Sequence, residues 1–472
     1  MRKILQILTL LITSVIIAQT PCENGMAGPY PCKGMDLLSN IGLNTFTSDR
    51  GNDSWGWTDP QDGKEYAIMG LGNGTAFVDI SDPINPVYLG KLPTHTGTST
   101  WRDIKVYKDH AFVVSDINSG SHGMQVFDLT RLRSVATPPE TFTEDAHFNG
   151  FGNCHNIVIN EETGYAYAVG ARDANGGGPI FINIQDPLNP VQEGEFTDDN
   201  YCHDAQVVIY DGPDTDYTGQ EILFGSNADR LSIVDVTDKA NPIGISTGLY
   251  GSTSYTHQAW LTDDKRYLIL GDETDETDLG FNTRTIIFDV SDLDNPVVHF
   301  EYEADVAAID HNGYVLGNEF YLSSYRAGLR IFDISDIAGE TMVETKYFDT
   351  YPGSDSANFD GAWSVYPYFA SGNIVISDIN RGLFIVRDST LGLNDTSAAT
   401  FAVFPNPAED LVNITSKSEP ITNVQIYNVL GQKVLDKNFT ESFSENINIT
   451  TLQAGTYVLK INSTTAKRLI IK

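Results

Sequence analysis

Basic residues are scarce in this sequence: 29 Lys and Arg stand against 63 Asp and Glu, a formal net charge of −34. A surface so acidic repels phosphate backbones and anionic lipid, which excludes nucleic-acid binding and electrostatic membrane docking. Cysteine is rarer still, four in 472 residues, too few for a disulfide-dense scaffold. No apolar run long enough to span a bilayer follows the N-terminus, so the mature chain is expected to lack a transmembrane segment. Helical periodicity is missing throughout. So are a nucleophile elbow, a phosphate loop, a zinc-protease HExxH and a dinucleotide fingerprint, which leaves no familiar catalytic signature.

What the chain does have begins with Arg2-Lys3, an apolar run from Ile4 to Ile17, and Ala18 before Gln19. Charged, apolar and small-residue parts in that order predict a secretory signal over residues 1–18. In an exported chain, paired cysteines are expected to form disulfides, and four cysteines allow three pairings. Cys22 with Cys32 and Cys154 with Cys202 is the expected set. The first pair staples a segment over 19–48, and the second occupies equivalent repeat positions.

A short strand ending in Asp recurs at Asp79, Asp128, Asp235, Asp289 and Asp333, with Asn183 and Arg387 as variants. The seven markers are 49, 55, 52, 54, 44 and 54 residues apart. Such spacing is that of propeller blades. Each repeat carries four strand-like runs, as in HQAWLTDD, RYLILGDE, TRTIIFDVSD and VVHFEYEA, which fits four-stranded blades around a channel better than a sandwich or a solenoid stack. The expected fold is therefore all-β, a seven-bladed β-propeller over 49–390. The Asp that closes each marker strand is expected to accept turn amides as an Asx turn.

These repeats, punctuated by Asp-Pro and Asn-Pro, resemble LVIVD-type propeller repeats. CENGMAGPYPC, CHNIVINEETGYAYAVG, YCHDAQVVIYDGPD, YTHQAWLTDD, TRTIIFDVSDLDNP, DHNGYVLGN and YRAGLRIFDISD together resemble the choice-of-anchor B family over roughly residues 20–390. That resemblance implies an exported propeller and brings no established activity.

After Asp388 a polar linker, 391–400, leads to a segment of different charge: Ala398 to Lys472 holds seven basic and six acidic residues. Its alternating runs predict a small antiparallel β-sandwich over 401–472. Phe404-Pro405-Asn406-Pro407-Ala408, Leu430-Gly431-Gln432, Leu452-Gln453-Ala454-Gly455-Thr456-Tyr457 and the basic end Lys467-Arg468 are similar to a type A sorting domain of type IX secretion. That implies handling by the type IX machinery as a partner, and a secreted or outer cell-surface location.

Aligning the first strand of each repeat brings Ser54, Arg102, His155, His203, His257, His311 and, in the register set by Trp363, Asp360 to one position. Their spacing matches the repeat, so they are expected to ring one channel mouth. Turns between second and third strands open on the same end and add Arg326 and Arg381. Imidazoles suit a transition metal, with His203 and His257 as the adjacent pair, and the arginines suit an anionic ligand or a partner. The same spacing also follows if each His bonds a backbone carbonyl of the next blade. Two acidic loops, one with Asp211, Asp214 and Asp216 and one with Asp272, Glu273, Asp275, Glu276 and Asp278, offer the oxygen ligands that Ca²⁺ takes. Two functions are compatible with this pattern: binding of an extracellular ligand or protein, and metal-assisted hydrolysis or elimination on an anionic or carbohydrate substrate.

Overall fold

The protein, seen in a computed structural model, is described over residues 19–117, 120–390, 401–416, 420–428, 432–462 and 465–472. The expected signal segment 1–18, the linker 391–400 and Leu430-Gly431 of the tail lie outside the described residues.

Seven sheets follow one another along the chain, antiparallel but for the short strand Glu140–Thr141, which pairs parallel with Val87–Pro93 in the first. Their first strands are Gly51–Thr58, Trp101–Tyr107, Asn156–Asn160, Asp204–Ile209, Thr256–Leu261, Gly313–Leu316 and Ala362–Tyr366. Each packs against the first strand of the next sheet, and Ala362–Tyr366 packs back on Gly51–Thr58. The arrangement is propeller-like, with these strands innermost. Large apolar side chains from the faces of adjacent sheets make separate cores, such as Tyr107, Phe112 and Ile157 between the second and third sheets, and Tyr167, Phe181 and Leu223 between the third and fourth.

The third strands end as the repeat predicts. Asp79, Asp128, Asn183, Asp235, Asp289 and Asp333 each accept the amide two residues on, at 2.9–3.0 Å. In the seventh sheet the acceptor is Asp388, bonded to Thr390 N–H at 2.8 Å, one residue beyond the Arg387 expected from sequence.

The last sheet takes its fourth strand from the chain's beginning: Met35–Ile41 pairs antiparallel with Gly382–Asp388. Part of the segment expected to precede the repeats is thus built into them. Just upstream, Tyr30–Lys33 extends the sixth sheet through Cys32 opposite Phe348, and the expected Cys22–Cys32 disulfide ties the turn.

The expected Cys154–Cys202 bridge is not formed; both thiols are free and buried. Equivalent repeat positions put them in different inter-sheet cores, with the third sheet between them. Each thiol donates to backbone instead, Cys154 to Asn156 and Val169 O, Cys202 to Asp204 O.

In the tail, a three-stranded sheet (Phe401–Phe404, Leu411–Ser416, Ser444–Asn448) and a four-stranded sheet (Lys433–Ser442, Ile421–Asn428, Gly455–Ile461, Thr465–Ile471) share one apolar core that includes Phe401, Ile414, Ile426, Leu459 and Leu469.

Burial pushes both free thiols well above their ordinary range, which removes the reactive thiolate. A thiol reagent is expected to find none in the native mature protein and two after denaturation without reductant. Zero or four on denaturation would contradict the pairing.

Candidate functional site

The inner strands leave one end of the channel lined by imidazoles. His155, His203, His257 and His311 follow one another, ring centroids 4.3, 4.4 and 4.3 Å apart. His203 and His311 donate from Nδ1 to the carbonyls of His257 and Trp363, the next residues around the mouth, at 2.9 and 2.6 Å. His155 Nδ1 meets the Asp116 carboxylate at 3.0 Å. A carbonyl partner fixes the proton on Nδ1 and leaves the Nε2 lone pair available. Backbone tethering and ligand capacity therefore coexist in the same side chains.

Glu273, in the turn after the second strand of the fifth sheet, reaches into this arc. Its Oε2 is 3.6 Å from His257 Nε2 and its Oε1 is 3.6 Å from His311 Nε2. Both separations are too long for hydrogen bonds. They approach those of neighbouring ligand atoms on one tetrahedral ion, which stand roughly 3.4 Å apart when each bond is about 2.0–2.1 Å. The Tyr325 hydroxyl donates to Oε1 at 2.9 Å and holds the carboxylate in place.

Burial lowers the pKa of His311 to about 3 and, with the adjacent imidazoles, that of His203 and His257 well below the usual value. All three are neutral, the form that coordinates metal. Burial raises the Glu273 carboxyl to about 7, against the Tyr325 hydrogen bond. Outside this layer Tyr255 packs on His203 at 5.1 Å, and exposed Arg172 lies over Tyr201 with Nη2 3.3 Å from its hydroxyl.

Deeper in the channel, Trp55, Trp260, Tyr314, Tyr366 and Tyr368 pack edge to face from the first, fifth, sixth and seventh sheets. Lys105 sits over Trp55.

Other expected residues fall elsewhere. Arg102 is buried, and its guanidinium bonds Leu71 O and His122 Nε2. In the first sheet Asn52, not Ser54, takes the ring position, because Asp53 bonds the next amide as Asp103 and Asp204 do. In the seventh sheet Trp363 takes it: the strand starts after Gly361 at φ 98° with a bulge at its first residues. Asp360 consequently stays in the preceding loop and pairs with Arg326. Arg326 and Arg381 both lie over Tyr351 rather than in the ring.

The first acidic loop does not converge. Asp211 pairs with Lys265, Asp216 is exposed, and Asp214 caps Asp216 N–H and accepts Leu293 N–H. Asp272 is fully engaged by Tyr250 and by the amides of Ser254 and Tyr255.

Sequence reasoning missed a second polar cluster. His95 and His147 stack at 3.8 Å, His95 bonds Glu144 at 2.9 Å, and Glu144 also accepts from Gln125. His95 lies in the loop between Val87–Pro93 and Trp101–Tyr107, Glu144 just before the second sheet's outer strand Ala146–Phe148, and His147 in that strand, outside the repeat that revealed the others.

Residues 402–472 match the model of the secretion system C-terminal sorting domain. The tail is a sorting domain. No curated protein matches the chain. Among solved structures the chain is similar to PorZ, an essential bacterial surface component of the type IX secretion system of Porphyromonas gingivalis, at 13% identity, 87% of this chain, 58% of that one and a TM-score of 0.45. The chain thus spans less than two thirds of PorZ. It is also similar to a Lactobacillus plantarum protein (11% identity, 79% and 95% covered, TM-score 0.47) and to the β-propeller domain of Myceliophteria thermophila Cps50 (11%, 72% and 97%, 0.45). Among the described residues no helix is long and apolar enough to cross a membrane.

Burial, reinforced by Arg102, lowers the His122 pKa to about 3. The folded protein keeps this imidazole neutral where an exposed one, near 6.5, would protonate. In an NMR titration, the resonance absent from His122→Gln is expected to stay at its neutral position from pH 8 to pH 5. A midpoint near 6.5 would contradict the buried Arg102–His122 contact.

Proposed function

We propose that this chain is a secreted or surface-held seven-bladed propeller, of the choice-of-anchor B kind with LVIVD-type repeats, exported through a signal over 1–18 and the type IX machinery. Its channel mouth binds an extracellular ligand or protein through a divalent transition metal held by His257, His311 and Glu273. One observation carries this reading: two neutral imidazoles with buried rings direct Nε2 toward opposite oxygens of one carboxylate that a tyrosine holds in place. Three protein ligands leave a coordination position for an incoming group. Tyr255 packs against His203 and His257, and the exposed Arg172 guanidinium over Tyr201 suits an anionic partner. His203 and His155 extend the same polar arc.

A second reading, an extracellular metal-assisted hydrolase or lyase, draws on the same ligand count, since a metal with an open position also activates water.

The test is elemental analysis of the mature full-length protein after Zn²⁺ loading and exhaustive dialysis, compared with His257→Ala/His311→Ala. About one equivalent in wild type and at least a tenfold loss in the variant is expected. Equal metal in both, or none in wild type, would refute the site. Zinc-dependent turnover of an anionic or carbohydrate substrate would favour the second reading over the first.

A further inference from the structure

We propose that His95, Glu144 and His147 form a second site for a divalent transition ion, Zn²⁺, which fastens the connection between the first and second sheets to the second sheet's outer strand. The site shares no residue with the histidine mouth and does not depend on the reading above.

His95 comes from the loop that leads into Trp101–Tyr107, and Glu144 and His147 bracket the start of Ala146–Phe148. One ligand atom from each of the three lies within 4.8 Å of the others. His95 Nδ1 is 2.9 Å from Glu144 Oε1. Two donors on one tetrahedral ion stand roughly 3.4 Å apart when each bond is about 2.0–2.1 Å, so an ion that replaces the proton between them parts the pair by only about 0.5 Å.

Neighbouring groups prepare each ligand. His147 Nε2 donates to the His122 carbonyl at 2.7 Å, which fixes the proton there and leaves the Nδ1 lone pair free. Gln125, 2% exposed, donates from Nε2 to Glu144 Oε2 at 2.8 Å and to Pro93 O at 3.1 Å, and so holds the carboxylate from behind. Gly123, at φ 64°, allows the His147 ring to lie where it does, since a Cβ there would come within 2.9 Å of Nε2. His122 supplies only its carbonyl, because its ring nitrogens are taken by Arg102 Nη1 at 3.1 Å and Gly123 O at 3.0 Å.

The His95 and His147 rings stack with 11° between their planes. Parallel rings cannot aim both lone pairs at one point, so closing the site tilts one of them. His95 is the ring free to move: 36% of its side chain is exposed and, among the described residues, Glu144 is its sole hydrogen-bond partner. Two nitrogens and a carboxylate oxygen suit zinc and leave its fourth position to water. The ion would join the loop to a strand of only three residues, which pairs with Met124–Val126 over that short length. The alternative, a plain His95–Glu144 ion pair beside a stacked ring, binds no zinc.

Partly exposed and with a ring to tilt, this site exchanges its ion more readily than the buried mouth, so it is read with free Zn²⁺ present and not by what survives dialysis. The test is isothermal titration of the mature full-length protein with Zn²⁺ alone as the probe. Wild type is expected to show a tight event at the mouth and a weaker second one. His95→Ala should abolish the second, and His257→Ala/His311→Ala should retain it. Glu144→Gln should weaken it by about tenfold or more, the scale on which losing even an outer-shell partner acts. The imidazole NMR resonances absent from His95→Ala and His147→Ala should shift as the second event saturates. A second event unchanged in His95→Ala, or no zinc binding that this substitution removes, overturns the assignment. If the mouth takes no zinc, wild type shows a single event, and the assignment stands when His95→Ala removes it and His257→Ala/His311→Ala does not.

Discussion

Each innermost strand has a hydrogen-bonded partner on only one side, and its other edge faces the channel. Unpaired backbone groups there must find partners or water. The chain meets this constraint with polar side chains of one sheet bonded to the backbone of the next. Asp103 accepts from Ile157 N–H, Gln206 from Leu261 N–H and Gln258 from Gly313 N–H; Asn156 donates to His203 O, and His203 to His257 O. These bonds join sheet to sheet where no ladder does. His203 and His311 belong to this set, and for His311 metal binding would be a second use of a side chain whose first is to complete the backbone.

The same constraint concentrates charge in the channel. Burial raises the Asp53 carboxyl and takes Asp204 to about 7, while Lys105, bonded to Asp103 at 2.6 Å, outweighs burial and brings Asp103 below its ordinary value. Lys105, over Trp55, meets the Asp53 and Asp103 carboxylates. At the mouth the imidazoles are neutral, and burial raises the Glu273 carboxyl to about 7, so a cation bound there would draw off its proton.

The repeat made much of this legible. A strand-ending Asp every fifty or so residues marked the sheets' third strands and the Asx turns, and the four histidines stood out because they shared that period. Where the period broke, the reading slipped: Ser54 was taken for Asn52 and Asp360 for the ring position of Trp363, where a bulge shifts the strand start, and Arg387 for Asp388, where the strand Gly382–Asp388 runs one residue further. The cysteines misled for the opposite reason, since equal repeat positions are separated by a whole sheet. Glu273 and Asp272 are neighbours with opposite fates, one aimed at the mouth and one spent on loop amides, and only the fold of their turn decides which.

Whether the mouth is a metal-anchored binding site is read from crystals of the mature chain grown with Zn²⁺ and measured at the zinc edge. An anomalous peak bonded to Nε2 of His257, Nε2 of His311 and a Glu273 oxygen is expected. A peak confined to His95 and His147, or no peak at the mouth, would contradict it.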